Sequence, residues 1–306
     1  MKNSVIENSL SNYYQDHFIL RTSSGTSALI AILKILSEES KKNEVIIPSN
    51  VCPALLFSIN FLGLNPVFVD METRYFNMCT KDLKRKITKN TLAVIGVHCF
   101  GLAADIKTLL KITKEKKIFF IEDACLNFGG KIYGEYYGSF GDASIISFGY
   151  DKILSENGGA LIVKSKNLFT KIKKFMKLNP IFFNFEFNQK KFQQKFNKLE
   201  SSIEKRKNNA KKYNAYLSSK NIIKPEFREN DVYWRYPILY KSNREKLIKL
   251  GDSKGLIITK HYPAINKFQT KSKLSNANLF EKSILNFFVK PGTKEEYISG
   301  VCNLIN

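Results

Sequence analysis

The chain has 306 residues, 43% of them hydrophobic and 13% aromatic, enough for about two globular domains of roughly 150 residues each, with a substantial core. No run approaches the roughly 18 consecutive apolar residues of a membrane span, and the opening stretch MKNSVIENSLSNYYQDHFIL lacks the long apolar segment of a signal peptide. The net charge is +22, but only seven of the 49 basic residues are arginine and lysine and asparagine are used heavily throughout; with no nucleic-acid-binding signature beside the charge, the expected partner is not a nucleic acid.

From residue 26 to about 164, short apolar runs alternate with helical patterns. In chain order the strand candidates are EVIIP (44–48), PVFVD (66–70), LAVIGVH (92–98), KIFFIED (117–123), ASIISF (143–148) and GALIV (159–163). Each is nearly all apolar, as in strands covered on both faces. Helical stretches lie between them: TSALIAILKILSEES, CPALLFSINFLG, TKDLKRKIT and DIKTLLKITKEKK. This alternation predicts a mainly parallel α/β sheet with its ligand site at the carboxyl edge. After residue 165 the composition shifts to Lys, Phe and Asn. Residues 167–198 read as an amphipathic helix and loop packing on the core or on a partner subunit, and a long helix follows. Then come the strand candidate DVYWRYPILY, a helix, turn and strand over NREKLIKLGDSKGLIITKHYP, and a helix, strand and closing helix to the end. The expected division is a large domain over 1–165, then a helical connection and a smaller α+β domain over 166–306.

Five cysteines, odd in number and without a CxxC pair, argue for reduced thiols and a cytoplasmic protein. Three widely separated histidines make a zinc site unexpected, and no metal is predicted.

Three short pieces at element ends carry chemistry. SSGTSAL (23–29) opens a helix with a small turn, where unpaired N–H groups and the helix dipole favour a phosphate. IEDAC (121–125) sets two carboxylates past the most apolar strand, and Asp123 is the candidate for a dry cleft. Ser147 and Lys152 follow the next strand, ahead of the glycine pair 158–159. A lysine amine with its pKa of about 10.4 becomes a nucleophile when burial or nearby cations lower that value. Schiff-base chemistry with pyridoxal 5′-phosphate (PLP) requires such a lysine, a carboxylate for the pyridine nitrogen and a phosphate cradle.

SGTSAL, VIIPSNVCPA, GLNPVFVDME, VHCFGLAADI, IEDAC, GSFGDASIISFGYDK and GGALIV resemble, in order, the signature blocks of the DegT/DnrJ/EryC1/StrS family of fold-type-I aminotransferases. RKNNAKKYNAYL, VYWRYPI, HYPAI and ILNFFVKPGTKEEYISGV extend the resemblance to nearly the whole chain. It implies a mainly parallel seven-stranded sheet with helices on both faces and a smaller α+β C-terminal domain. It also implies transfer of an amino group from an amino acid, L-glutamate by expectation, to a keto-sugar nucleotide in polysaccharide or glycoconjugate precursor synthesis, in a homodimer. Carried over residue by residue, Lys152 is the Schiff-base lysine. Asp123 is the partner of the pyridine nitrogen, and Ser24, Gly25, Thr26 and Ser27 form the phosphate turn. Ser147 is a second phosphate contact, Cys52 takes the ring-stacking position, and His261 and Tyr262 lie near the substrate loop.

The sequence departs from the family pattern in three places. Leu126 replaces a glutamine expected near the phenolic oxygen of the cofactor, ENGG replaces GEGG, and the chain is shortened after Lys152, where a Gly-Tyr-Asn block is missing. Asn184 or Asn188 could replace its asparagine. Tyr150 and Asp151, flanking the lysine, either touch substrate or complete the turn. Glu122 and Asp70 read as turn caps, His98 as a packed strand-end residue and Trp234 as core. Two alternatives stay open: a PLP enzyme with a smaller, non-sugar substrate, and a degenerate PLP-binding partner subunit without catalysis.

Overall fold

The structure is a computed structural model and describes residues 5–270 and 274–306. The first part of the chain runs α1 (Val5–Ser11), β1 (Phe18–Thr22), α2 (Gly25–Glu38), β2 (Glu44–Pro48), α3 (Ala54–Phe61), β3 (Asn65–Val69), α4 (Thr80–Lys86), β4 (Thr91–Val97), α5 (Ile106–Lys116) and β5 (Phe119–Asp123). A two-stranded ribbon, β6 (Lys131–Ile132) and β7 (Glu135–Tyr136), precedes β8 (Ala143–Ser147) and β9 (Gly159–Val163). Helices α6 (Lys166–Leu178), α7 (Pro180–Phe183), α8 (Gln189–Phe196) and α9 (Leu199–Tyr216) follow. The chain ends with β10 (Ile222–Ile223), β11 (Arg235–Tyr240), α10 (Arg244–Ser253), α11 (Ser275–Ser283), β12 (Ile284–Phe288) and α12 (Glu295–Ile305).

Seven strands form one sheet in the order β1-β9-β8-β5-β4-β2-β3. Only β9 runs against its neighbours, β1 and β8; the other pairs are parallel. The apolar runs are buried on both faces because successive side chains point to opposite sides of a strand. Thus Ile46, Val94 and Phe120 pack with Leu83, Leu109 and Ile112 of α4 and α5, while their neighbours Ile47, Ile95 and Ile121 join the core under α2 and α3. Strands β10, β11 and β12 form a separate antiparallel sheet.

All six strand candidates are strands, with ends within two residues of those expected. FILRT (18–22), not among the strand candidates, is the seventh; it pairs along its full length with GALIV at the sheet edge. The expected strand in GLIITKHYP reduces to one bridge between Thr259 and Asn286. There the segment turns from the small sheet toward the large one: the Ile265 N–H donates to the Ser49 carbonyl at 2.9 Å.

Candidate active site

The parallel strands and β1 all deliver their carboxyl ends to one edge of the sheet. Register puts Thr22, Gly159 and Ser147 in one row across β1, β9 and β8. The turn after Thr22 therefore lies directly over the start of β9. A methyl group on Gly159 would stand 2.6 Å from the Ile146 carbonyl oxygen and 2.9 Å from the Gly25 nitrogen, both backbone atoms. A methyl group on Gly25 would meet Cys125 Sγ at 3.0 Å and Ser147 Cβ at 3.2 Å. Gly159 thus has room only for glycine, a side chain on Gly25 would crowd Cys125 and Ser147, and the 24–27 turn is brought against those two residues.

Within this turn Ser24 and Ser27 cap α2 reciprocally. The Ser24 hydroxyl accepts from Ser27 N at 3.0 Å, and Ser24 N donates to the Ser27 hydroxyl at 2.9 Å. Ser27 also donates to the Ser24 carbonyl at 2.9 Å. Those two side chains are committed to the helix end. The N–H groups of Gly25 and Thr26 make no hydrogen bond among the described residues, so they and the Thr26 hydroxyl are the turn's free anion-binding groups.

At the end of β5 the two carboxylates separate by strand alternation. Glu122 is fully buried and accepts from Gly138 N at 2.7 Å, Phe140 N at 2.8 Å and His98 Nε2 at 3.0 Å. Burial alone would raise its pKa, but these hydrogen bonds outweigh it and hold the pKa below the ordinary carboxylate value. His98 Nδ1 accepts from Ala104 N at 3.0 Å, so its proton sits on Nε2 and the pair is structural. Asp123 instead faces a narrow cleft of about 20 Å³ that Cys52, Cys99, Cys125, Lys152 and Tyr262 also line. Its Oδ1 accepts from Cys125 N at 3.0 Å. Burial and the nearby Asp123 carboxylate push the Cys125 thiol well above its ordinary value, against a smaller downward pull from Lys152.

Lys152 sits in the irregular segment between β8 and β9, in which Asp151 and Ser155 have left-handed φ values of 59° and 51°. The segment is pinned below by Ile153 and Leu154, both buried, and at its ends by Phe148 N donating to the Gly158 carbonyl at 2.9 Å. From the far side, Arg235 of β11 forms an ion pair with Asp151, and Trp234 Nε1 donates to the Asp151 carbonyl at 2.5 Å. Trp234 also stacks on Tyr262, rings 6.1 Å apart and 12° from parallel. Burial is the main cause of a raised Tyr262 hydroxyl pKa, with Cys52 and Asp123 next.

The expected site residues thus converge on one edge: the 24–27 turn, Cys52, Asp123, Ser147, Lys152 and Tyr262, with His261 beside them on the exposed side. Burial, Arg235 and Lys152 lower the pKa of His261. Leu126 lines the cleft where a glutamine was expected. Asn188 caps α8 through its side chain, which accepts from Lys191 N. Asp70 caps the start of α11 by accepting from Ala277 N at 2.7 Å and Asn276 N at 3.1 Å.

Sequence reasoning missed Cys99 and Cys125 as cleft walls, and Trp234 and Arg235 as anchors of the lysine segment. Arg235 had a signal: a lone charge in the apolar run VYWRYPILY needs a buried partner. Cys125 lies two residues past Asp123, in the turn that follows β5, where its N–H donates back to the Asp123 carboxylate. Among the described residues no cluster of three His, Cys, Asp or Glu side chains could hold a metal, and no helix is long and apolar enough to cross a membrane.

A profile of the DegT/DnrJ/EryC1/StrS aminotransferase family matches residues 2–180 and 191–306. The GDP-perosamine synthase of Escherichia coli O157:H7 is 34% identical over 164 residues, 53% of this chain and 45% of that protein. The 3-oxo-glucose-6-phosphate:glutamate aminotransferase of Bacillus subtilis strain 168 is 27% identical over 290 residues, 86% of this chain and 64% of that protein. The chain therefore matches under two thirds of the length of these relatives. The solved structure of NtdA from Bacillus subtilis with bound cofactor PMP superposes with a TM-score of 0.85 at 21% identity, covering 100% of this chain and 78% of that one.

Proposed function

The chain belongs to the DegT/DnrJ/EryC1/StrS aminotransferase family, and from that premise we propose that it is a PLP-dependent aminotransferase. In this reading the amino group comes from an amino acid, L-glutamate, and goes to the keto group of a nucleotide-linked sugar. The donor is supported by the Bacillus subtilis relative whose name carries glutamate, and the acceptor class by the GDP-perosamine synthase. The carrying observation is that Lys152 and Asp123 face one cleft beside the 24–27 turn.

The residues present fit PLP. A carboxylate, a primary amine and a glycine-lined helix start are the donor set that a pyridine nitrogen, an aldehyde and a phosphate require, and Gly159 leaves no room for a side chain beneath the helix start. When bound, PLP supplies an electron sink for negative charge at the substrate Cα. Asp123 keeps a proton on the pyridine nitrogen. Gly25 and Thr26 N–H, with the Thr26 and Ser147 hydroxyls, hold the phosphate, while Ser24 and Ser27 hold the turn in shape. Cys52 and Cys125 would wall the space for the ring. Lys152 Nζ would take the proton from the donor Cα and, in the second half of the exchange, deliver a proton to the acceptor carbon, and Tyr262 with Trp234 walls the cleft against solvent. The division at 165/166 separates the cofactor-binding part from the part that brings in Trp234, Arg235 and Tyr262, and a homodimer completes the expected assembly.

The test is the visible absorption spectrum of the PLP-incubated protein, before and after L-glutamate, with Lys152→Ala as control. The reading expects a band that the variant lacks and glutamate bleaches. A band indifferent to glutamate sinks the donor; no band at all sinks the enzyme.

A further inference from the structure

The segment that carries Lys152 is tied at its exit as well as at its entry. Ser155, three residues past the lysine, holds a left-handed φ of 51°, a conformation that is unfavourable for a residue with a side chain and persists only where neighbours hold it. The neighbour is α8. Lys195, in its last turn, donates from Nζ to the Ser155 carbonyl at 2.5 Å and pairs with the Glu156 carboxylate at 2.7 Å. Lys191, one turn earlier, lies 3.8 Å from the same carboxylate. The Glu156 side chain is only 8% exposed, so loss of its cation would leave a nearly buried carboxylate unpaired, which is costly. Aromatic packing seats the same helix. Phe192 is fully buried, its ring centre 5.2 Å from that of Phe148 just past β8. Phe185, shortly before α8, lies against Gly158, where a methyl group would stand 2.4 Å from its ring. Contacts from this stretch thus reach the lysine segment at Phe148, Ser155, Glu156 and Gly158, on both sides of Lys152.

We propose that Lys195 and Glu156 are positioning residues for Lys152: the pair fixes the exit of the segment as Arg235 and Asp151 fix its entry, and the amine is aimed only while both ties hold. The inference rests on the reading of Lys152 as the reacting amine and deepens it. A segment held at one end alone can pivot, and a displacement of about 1 Å at a reacting group can cost about 100-fold in rate. The tie arises where this chain departs from the family pattern. ENGG in place of GEGG puts Glu156 where the pattern has glycine, and α8, which brings Lys195, begins inside the 181–190 stretch that the family profile leaves unmatched.

The test uses the PLP-incubated full chain and three variants: Lys195→Met, which keeps an unbranched side chain and removes its charge, Glu156→Gln, and Lys195→Arg, which restores a charged donor. The Lys195 side chain is 38% exposed, so the fold tolerates its replacement. The first arm is hydrogen exchange over 149–156, which needs no turnover. The proposal expects faster exchange in Lys195→Met and Glu156→Gln and parent-like exchange in Lys195→Arg; rates that the first two variants leave unchanged overturn it. The second arm is the half-reaction with L-glutamate followed by spectrum. Its rate is expected to fall by about tenfold or more in Lys195→Met and Glu156→Gln, at an unchanged half-saturating glutamate concentration, and to recover in Lys195→Arg. A lower melting temperature with the rate of the folded protein unchanged would make the pair structural only. A higher half-saturating concentration at unchanged rate would make Lys195 a substrate contact. Either result overturns the proposal. Borohydride reduction of the PLP-incubated parent, followed by peptide mass spectrometry, keeps the premise separate. With label on Lys152, a kinetic arm that fails condemns the pair alone; label elsewhere removes the reading of Lys152 and the positioning role together.

Discussion

The two sides of the cleft are held in different ways. Asp123 and the 24–27 turn are fixed by the sheet itself. Asp123 ends a strand paired on both sides, with Val97 and with Ile145, and the turn rests on Gly159 through backbone-to-backbone contact. Lys152 has no such support. It occupies a segment without regular structure, tied by side chains that arrive from 80 residues further along the chain, Trp234 and Arg235. The half that binds a cofactor is therefore rigid by construction. The half that must move a proton is adjustable, its position set by contacts with the small sheet. Loops carried on a rigid scaffold commonly divide labour in this way.

Changes to chemistry at each side have the largest expected effects. Lys152→Ala removes the proton carrier and lowers kcat by about 10³-fold or more, given the usual range for a general acid–base; transamination rates measure it. Asp123→Asn leaves the strand intact and replaces the counter-charge of the pyridine nitrogen, for an expected loss of about 10²–10³-fold with an unchanged melting temperature. An equal loss of stability would place Asp123 among the structural carboxylates with Glu122.

The next pair of substitutions tests the contrast directly. Gly159→Ala puts a methyl group 2.6–2.9 Å from three backbone atoms that cannot move without disturbing the sheet, so a loss of about 1–3 kcal/mol is expected, along with weaker PLP binding through the displaced turn. Arg235→Met leaves the small sheet its packing but releases Asp151, which is 31% exposed and can turn to water. The expected cost in stability is smaller, about 1 kcal/mol, and the effect falls on the lysine segment: faster hydrogen exchange over 149–156 and a lower kcat at unchanged PLP affinity. If Arg235→Met loosened the 24–27 turn as much as the lysine segment, the two halves would be one unit and the contrast would fail.

The same division explains what could be read from sequence. Strands buried on both faces show as unbroken apolar runs, so EVIIP, LAVIGVH and GALIV were legible, as were the acidic end of β5 and the lysine after β8. Edge strand β1 was not, because FILRT carries an arginine and a threonine and is half-covered, with only Leu20 and Thr22 buried. The tethers of Lys152 were hidden for a different reason. An ion pair between positions 151 and 235 is a tertiary event with no local pattern, and Trp234, read only as core, is also a hydrogen-bond donor to the lysine segment. The departure at Leu126 was legible as a change. Its consequence, a cleft walled by thiols and an aliphatic side chain, depends on which neighbours the fold brings in.

The smallest expected effect concerns pH and a residue behind the sheet edge, away from the cleft. His17 Nε2 donates to the Ser139 carbonyl at 3.2 Å, and its buried Nδ1 has no partner. Burial is the main cause of its lowered pKa, and Lys164 pulls in the same direction against the Ser139 bond and Asp16. In the unfolded chain His17 takes up a proton near its ordinary value of about 6.5, whereas in the folded protein it does so only at lower pH. Below about pH 6.5 the unfolded state therefore binds more protons, and stability falls as pH falls until the lowered folded value is reached. Glu122, held below its ordinary value, acts in the same direction at lower pH. Asp231, raised to about 6 chiefly by burial, opposes both, since its folded form binds the extra proton below that pH. Urea unfolding of the parent and His17→Gln between pH 5 and 7.5 isolates the histidine: the variant is expected to lose less stability on acidification. Parallel pH curves for the two proteins would mean that the folded protein offers protonated His17 a partner as good as water.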